Sequence, residues 1–198
     1  WTDIATGLGG VSSYNTDWTV DFSALPEAAT SYVSARAYDA AGQTALLTDV
    51  FYIKKDVTLP SITDNQPGDD AWRNADAAVY NVDFADSGGS LLQRTQIKIT
   101  TGAAQTGTLI TDWTDRITGI NAASYPGDWG LGSGVWTLLQ SGGNYVSVRV
   151  YDNASNLRTV TDAFYVKKDT TVPVITDNQA GDDAWRNSGA AVYNVDFT

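Results

Sequence analysis

Residues 56–84 recur almost unchanged at 169–197, with 23 of 29 positions identical at an offset of 113 residues. Self-similarity of that degree constrains the fold more than any other feature, because successive copies must each be a structural unit joined in series. The phase follows from the flanking matches. Tyr32–Asp39 aligns with Tyr145–Asp152 and Phe51–Asp56 with Phe164–Asp169 at the same offset of 113. Upstream, Trp1–Asp3 matches Trp113–Asp115 at 112 and Tyr14–Trp18 matches Tyr125–Trp129 at 111, small slips that read as loop insertions and deletions. The chain thus divides into the later half of one unit (1–56), a complete unit (57–169) and the earlier half of a third (170–198). Half a unit cannot bury a closed core, so the 198 residues are expected to be a window on a longer polymer.

Within the complete unit, turn clusters separate short segments with period-two alternation, the signal of half-buried strands. Ser61–Asn65 is one. In Ala78–Phe84, Tyr80, Val82 and Phe84 share a face. Thr95–Thr100 points Ile97 and Ile99 inward, and Thr108–Thr114 returns after a turn. In Tyr145–Tyr151, Val146, Val148 and Val150 lie on one face, and Leu157–Lys168 is the last strand. Gly119–Gly134 has no readable period, and no segment shows helical period with caps. About seven strands with frequent turns predict an all-β chain of tandem two-sheet antiparallel sandwiches, with a closed barrel as the alternative. Val82, Phe84, Ile97, Ile99, Val146, Val148 and Val150 are expected to be buried together, and Trp113 and Trp136 to fill the core beside them.

Composition removes whole classes of chemistry. There is no Cys, His or Met, so neither a Ser-His-Asp or Cys-His nucleophile system nor an ordinary zinc site can form. Adjacent acid pairs such as Asp69-Asp70 and Asp182-Asp183 repeat identically in successive units, which suits structure better than glycoside hydrolysis, and no enzyme is expected. A net charge of −11 argues against nucleic acid or an anionic membrane surface as partner. No apolar run is long enough for membrane insertion by a helix. The acids are 22 Asp and a single Glu, Glu27. Asp is poor in strands and favoured in turns, where its carboxylate bonds nearby amides or binds hard cations such as calcium. Lys54-Lys55 and Lys167-Lys168 are expected to blunt an edge strand.

Tyr32–Gln43 with Phe51–Pro60, and again Tyr145–Asn156 with Phe164–Pro173, combine a Tyr-Val-Ser-x-Arg-x-Tyr-Asp strand, a final Phe-Tyr-x-Lys-Lys strand and an Asp-x-Thr-x-Pro seam. This combination resembles the junctions between immunoglobulin-like or fibronectin-III-like repeats of very large bacterial surface proteins. Ser155 departs from it by standing where Gly is usual, so the last turn is expected to tolerate a non-Gly backbone there. The resemblance implies an exported stalk, adhesin or self-assembling filament component, whose partners are neighbouring repeats or further copies of itself. In an immunoglobulin-like topology, Asp86 and Asp152 would approach Asp56 and Asp64 at one seam, while Asp69 and Asp70 would lie towards the opposite pole near Asp169. These carboxylates are the candidate calcium ligands, set against a plain role as turn caps. The other function considered is an adhesin repeat that holds a cell-surface glycan on the rings of Trp129 and Tyr125. Exposure of both would favour it, and burial would favour a structural role.

Overall fold

The computed structural model describes residues 1–66, 71–76, 78–179, 181, 185–189 and 192–198. The segment before the complete unit forms a 3-10 turn at Phe22–Ala24 and a hairpin of β1 (Thr30–Tyr38) and β2 (Thr44–Lys54). The complete unit contains β3 (Ser61–Asp64), β4 (Trp72–Arg73), β5 (Val82–Ala85), β6 (Leu92–Gly102), β7 (Thr106–Thr118), β8 (Ser124–Tyr125), α1 (Ser133–Leu138), β9 (Gly142–Asp152) and β10 (Leu157–Lys168). Beyond it, β11 (Ile175–Asp177) pairs with β12 (Val195–Phe197). The chain is all-β apart from short helical turns, and no helix among the described residues is long and apolar enough to cross a membrane.

Two sheets make up the complete unit: one in the order β4-β10-β9-β6-β7 and one in the order β3-β5-β8. All pairings are antiparallel except that of β4 with β10, which is parallel through Lys167↔Trp72 and Lys168↔Arg73. The register between β6 and β9 sets Ile97 opposite Val148 and Ile99 opposite Val146. Alternation then sends these four side chains to one face, where they are buried with Val150, Phe164 and Val166. Val82 and Phe84 meet them from the smaller sheet, so all seven residues expected in the core lie in one cluster. Aromatic bulk fills the space between the sheets. Tyr80 stacks on Phe164 with ring centroids 4.2 Å apart, and Trp129 meets both rings at steeper angles.

Three expectations need correction. Residues 133–138 form a helix where none was expected; it starts at Gly132, whose φ of 86° suits a residue without a Cβ, and it buries Trp136. Trp113 is only half-buried, lying on the outer face with the Arg149 guanidinium 4.3 Å from its ring centroid. Lys55 and Lys168 do not guard an edge. The Lys168 ammonium donates to the carbonyls of Trp136 and Leu139 at the end of α1, at 3.0 and 2.8 Å, and Lys55 does the same for Ser23 and Leu25 behind the 3-10 turn. A cation on these carbonyls at the C-terminal ends complements their partial negative charge.

The repeat extends to irregular details. Asp49 and Asp162, 113 residues apart, both have φ near 50° at a bulge in the final strand, and each N–H donates to a serine hydroxyl, Ser34 or Ser147, at 3.1 Å. Gly42 and Ser155 likewise occupy equivalent positions with φ of 82° and 73°, so the turn does hold a non-Gly residue in the left-handed region.

Candidate functional site

Asp56 leaves β2 at the seam between units, Asp86 follows β5, and Asp152 ends β9. Pairing of Ser61 with Ala85 puts the start of β3 beside the end of β5, and pairing of Leu92 with Asp152 puts the start of β6 beside the end of β9. The three acids therefore meet at the pole where the chain enters the complete unit. One carboxylate oxygen from each lies within 4.8 Å of the others; Asp86 and Asp152 are buried and Asp56 is half-buried.

Each carboxylate also caps a turn. Asp56 accepts from the N–H groups of Thr58 and Ser90 at 3.0 and 2.9 Å. Asp86 accepts from Gly88 and Leu91 at 3.1 and 2.8 Å, and Asp152 from the backbone and side-chain amides of Asn156, both at 2.8 Å. The Asn156 amide also reaches the carbonyl of Asp56 at 3.1 Å, tying the last turn of the unit to the linker. Capping is a repeated trait: Asp39, the counterpart of Asp152, accepts from Ala41 and Gln43 at 2.9 and 2.8 Å.

Charge sets this cluster apart from ordinary caps. Two carboxylates about 5 Å apart repel by about 3 kcal/mol at an effective dielectric of about 20. Among the described residues no ion pair joins any of the three to a Lys or Arg; the pairs present are Arg94–Asp115 and Lys98–Asp112. Burial pushes the Asp56 carboxyl up, but hydrogen bonds from Ser90 and Thr58 outweigh it and hold the group below the ordinary 3.8. A fourth acid holds the linker beside the cluster. Glu27, from the preceding unit, accepts from the N–H groups of Val57 and Thr58 at 2.6 and 3.2 Å and from the Thr58 hydroxyl at 3.1 Å, so it shares the Thr58 N–H with Asp56. Gly88 permits the crowding, since a Cβ there would stand 1.9 Å from Asp56 Oδ1.

The other candidate ligands are elsewhere. Asp64 pairs with Val82 at the far end of β3, about 10 Å along the strand from Ser61, and accepts from the Gln66 N–H at 2.8 Å. Burial pushes its carboxyl above 3.8. The expectation that it joins the seam is thus corrected: β3 runs straight through this stretch and carries Asp64 away. Asp169 lies beyond the opposite end of β10, where its N–H donates to Arg73 at 2.9 Å and its carboxylate caps Thr171 at 2.8 Å. Asp69 and Asp70 fall outside the described residues.

Trp129 is 5 % exposed, and its indole N–H donates to the Val82 carbonyl at 3.2 Å. Its ring is committed to the core and offers no face to a sugar. Tyr125 is half-buried at its pairing with Phe84. Glu27, Gly88 and Asn156 were not read from sequence as part of the site. The available signals were the uniqueness of Glu27 and the Gly-Gly pair two residues after Asp86. No protein-family model matches the chain, and comparison with curated proteins returns no match.

Proposed function

We propose that this chain is a structural repeat of a long extracellular bacterial surface or filament protein, built from immunoglobulin-like sandwiches in series, with calcium stiffening the seam. The observation that carries the reading is the convergence of Asp56 from the linker with Asp86 and Asp152 from the following unit, with no cationic side chain paired to the three aspartates among the described residues and with Glu27 of the preceding unit bonded to the linker at Val57 and Thr58. A hard divalent cation takes six to eight oxygen ligands and suits carboxylates of this density. Binding one would offset the mutual repulsion and couple the two units. The immunoglobulin-like assignment draws support from the strand order, in which the first stretch of the unit gives β3 to one sheet and β4, parallel to the last strand, to the other. The extracellular assignment rests on tandem repetition and an Asp-rich, cysteine-free composition. Commitment of Trp129 to the core favours a structural role over glycan binding.

Calcium titration of the chelator-treated chain, followed by calorimetry, tests the seam. Calcium raises Tm and Asp86→Asn with Asp152→Asn removes the rise, whereas magnesium, which demands tighter octahedral geometry, has a smaller effect. A Tm indifferent to calcium would reduce the cluster to turn caps.

A further inference from the structure

The core of the complete unit uses one face of its five-stranded sheet. Val146, Val148 and Val150 of β9 point inward, so Arg149 and Tyr151 stand on the outer face, where Gln96 lies opposite Arg149 and Arg94 opposite Tyr151. Cations and rings alternate there. The Arg149 guanidinium sits between two rings, 4.3 Å from the Trp113 centroid and 5.4 Å from that of Tyr151, and Arg94 covers Tyr151 at 4.3 Å. All four side chains belong to half-buried residues. Arg149 Nε donates to Gln96 Oε1 at 2.6 Å, and Gln96 Nε2 donates in turn to Asp115 at 2.7 Å. The guanidinium is thereby held in place, while its two terminal nitrogens have no hydrogen-bond or ion-pair partner among the described residues. The acids nearby are taken by other cations, Asp112 by Lys98 at 3.2 Å and Asp115 by Arg94 at 3.4 Å. The arrangement recurs one repeat earlier. At the positions matching Trp113, Arg149 and Tyr151, the Arg36 guanidinium lies 4.2 Å from the Trp1 ring and 5.2 Å from that of Tyr38.

We propose that this outer face binds a polysaccharide in which carboxylated and neutral sugars alternate, with sugar rings lying on Trp113 and Tyr151 and one carboxylate held by the terminal nitrogens of Arg149. A guanidinium fork matches a carboxylate with two parallel hydrogen bonds, and its stacking between rings orders it before the ligand arrives. Aromatic side chains take the apolar face of a sugar while leaving its hydroxyls in water. Charge selects the glycan. One unpaired guanidinium per unit calls for one carboxylate flanked by neutral sugars. A polymer charged at every sugar, or a second copy of this chain, would meet the repulsion of a net charge of −11 and of Asp112 and Asp115 beside the row. Recurrence of the stack places one such group on each unit, so a long glycan engages several in series and gains by multivalency. The surface shares no residue with the acid cluster at the seam and none with Trp129, whose ring is committed to the core.

NMR titration of the full 198-residue chain with a hyaluronan octasaccharide, which alternates a carboxylated and a neutral sugar, is the test. Chelator in the buffer keeps any cation from bridging the glycan to the seam. The Arg149 side-chain N–H and Trp113 indole N–H signals shift and saturate, and reading affinity from Trp113 separates this site from the one at Arg36. The carboxyl-reduced octasaccharide keeps the sugar rings but loses the charge, and binds the wild-type chain about tenfold more weakly. Arg149→Gln weakens binding of the acidic form by about the same factor, and Arg149→Lys, which keeps the charge without the fork, does not restore it. Should Arg149→Gln fail to fold, the comparison of the two glycans on the wild-type chain decides alone. Signals of Arg149 and Trp113 that stay still, equal binding of the carboxyl-reduced glycan, or an Arg149→Gln chain that binds like wild type would each overturn the proposal. Equally tight binding of dextran sulfate would reduce the interaction to charge attraction and overturn it too.

Discussion

Gly88 and Asp56 compete for the same space, and only the absence of a side chain lets the carboxylate lie against the loop. Gly88→Ala is therefore expected to displace Asp56, lower Tm and weaken any calcium-dependent rise, all measurable in one calorimetric titration. Ser155 holds a left-handed φ of 73° that costs an L residue about 1 kcal/mol, so Ser155→Gly is expected to stabilise by about 0.5 kcal/mol once the added freedom of the unfolded chain is counted. Urea unfolding would read that difference. The Asp56 carboxyl has a folded pKa below 3.8, so its contribution is fully present above that value and is lost as pH falls through the folded pKa. Asp56→Asn should accordingly flatten the acid limb of a Tm-against-pH curve, and an unchanged limb would contradict the assignment. At this scale residue type marked Asp86 and Asp152 as turn carboxylates, and only the topology implied by the resemblance brought them together. The sequence was silent on Glu27 and Gly88, whose roles depend on chain segments meeting from different units.

Long strands with alternating side chains were legible as elements because burial of one face requires period two. Val146, Val148 and Val150 are all fully buried, and Val148→Ala is expected to cost about 1–3 kcal/mol through lost burial and a residual cavity. The helix α1 was not legible. Its six residues, Ser133–Leu138, span under two turns, too few to display a period, and no side chain caps its start. Its stability comes from distant residues, the burial of Trp136 and the ammonium of Lys168 on its last carbonyls. Lys168→Met keeps the aliphatic stem but removes the donor, and is expected to cost about 1 kcal/mol in urea unfolding. The two-residue strand β4 escaped notice for the same reason as α1: partners in β10, not local pattern, define it.

For the whole molecule, the 113-residue period marked out a repeat, while the meeting of Asp86 and Asp152 at the entry pole was expected only from the immunoglobulin-like topology that the resemblance implies; the pairings of β3 with β5 and of β6 with β9 bring them there. The period could not place Asp64, since the length of β3 decides how far from that pole it falls. The parallel pairing of β4 with β10 has a mechanical consequence. Tension along an array pulls backwards on the stretch that leads into β4 and forwards on β10, so the two strands are drawn past one another. Their hydrogen bonds, with the Asp169 N–H on the Arg73 carbonyl at 2.9 Å, are then loaded together and must break at once, unlike a zipper opened bond by bond. A small patch of backbone thereby becomes the clamp that the unit presents to an extending force.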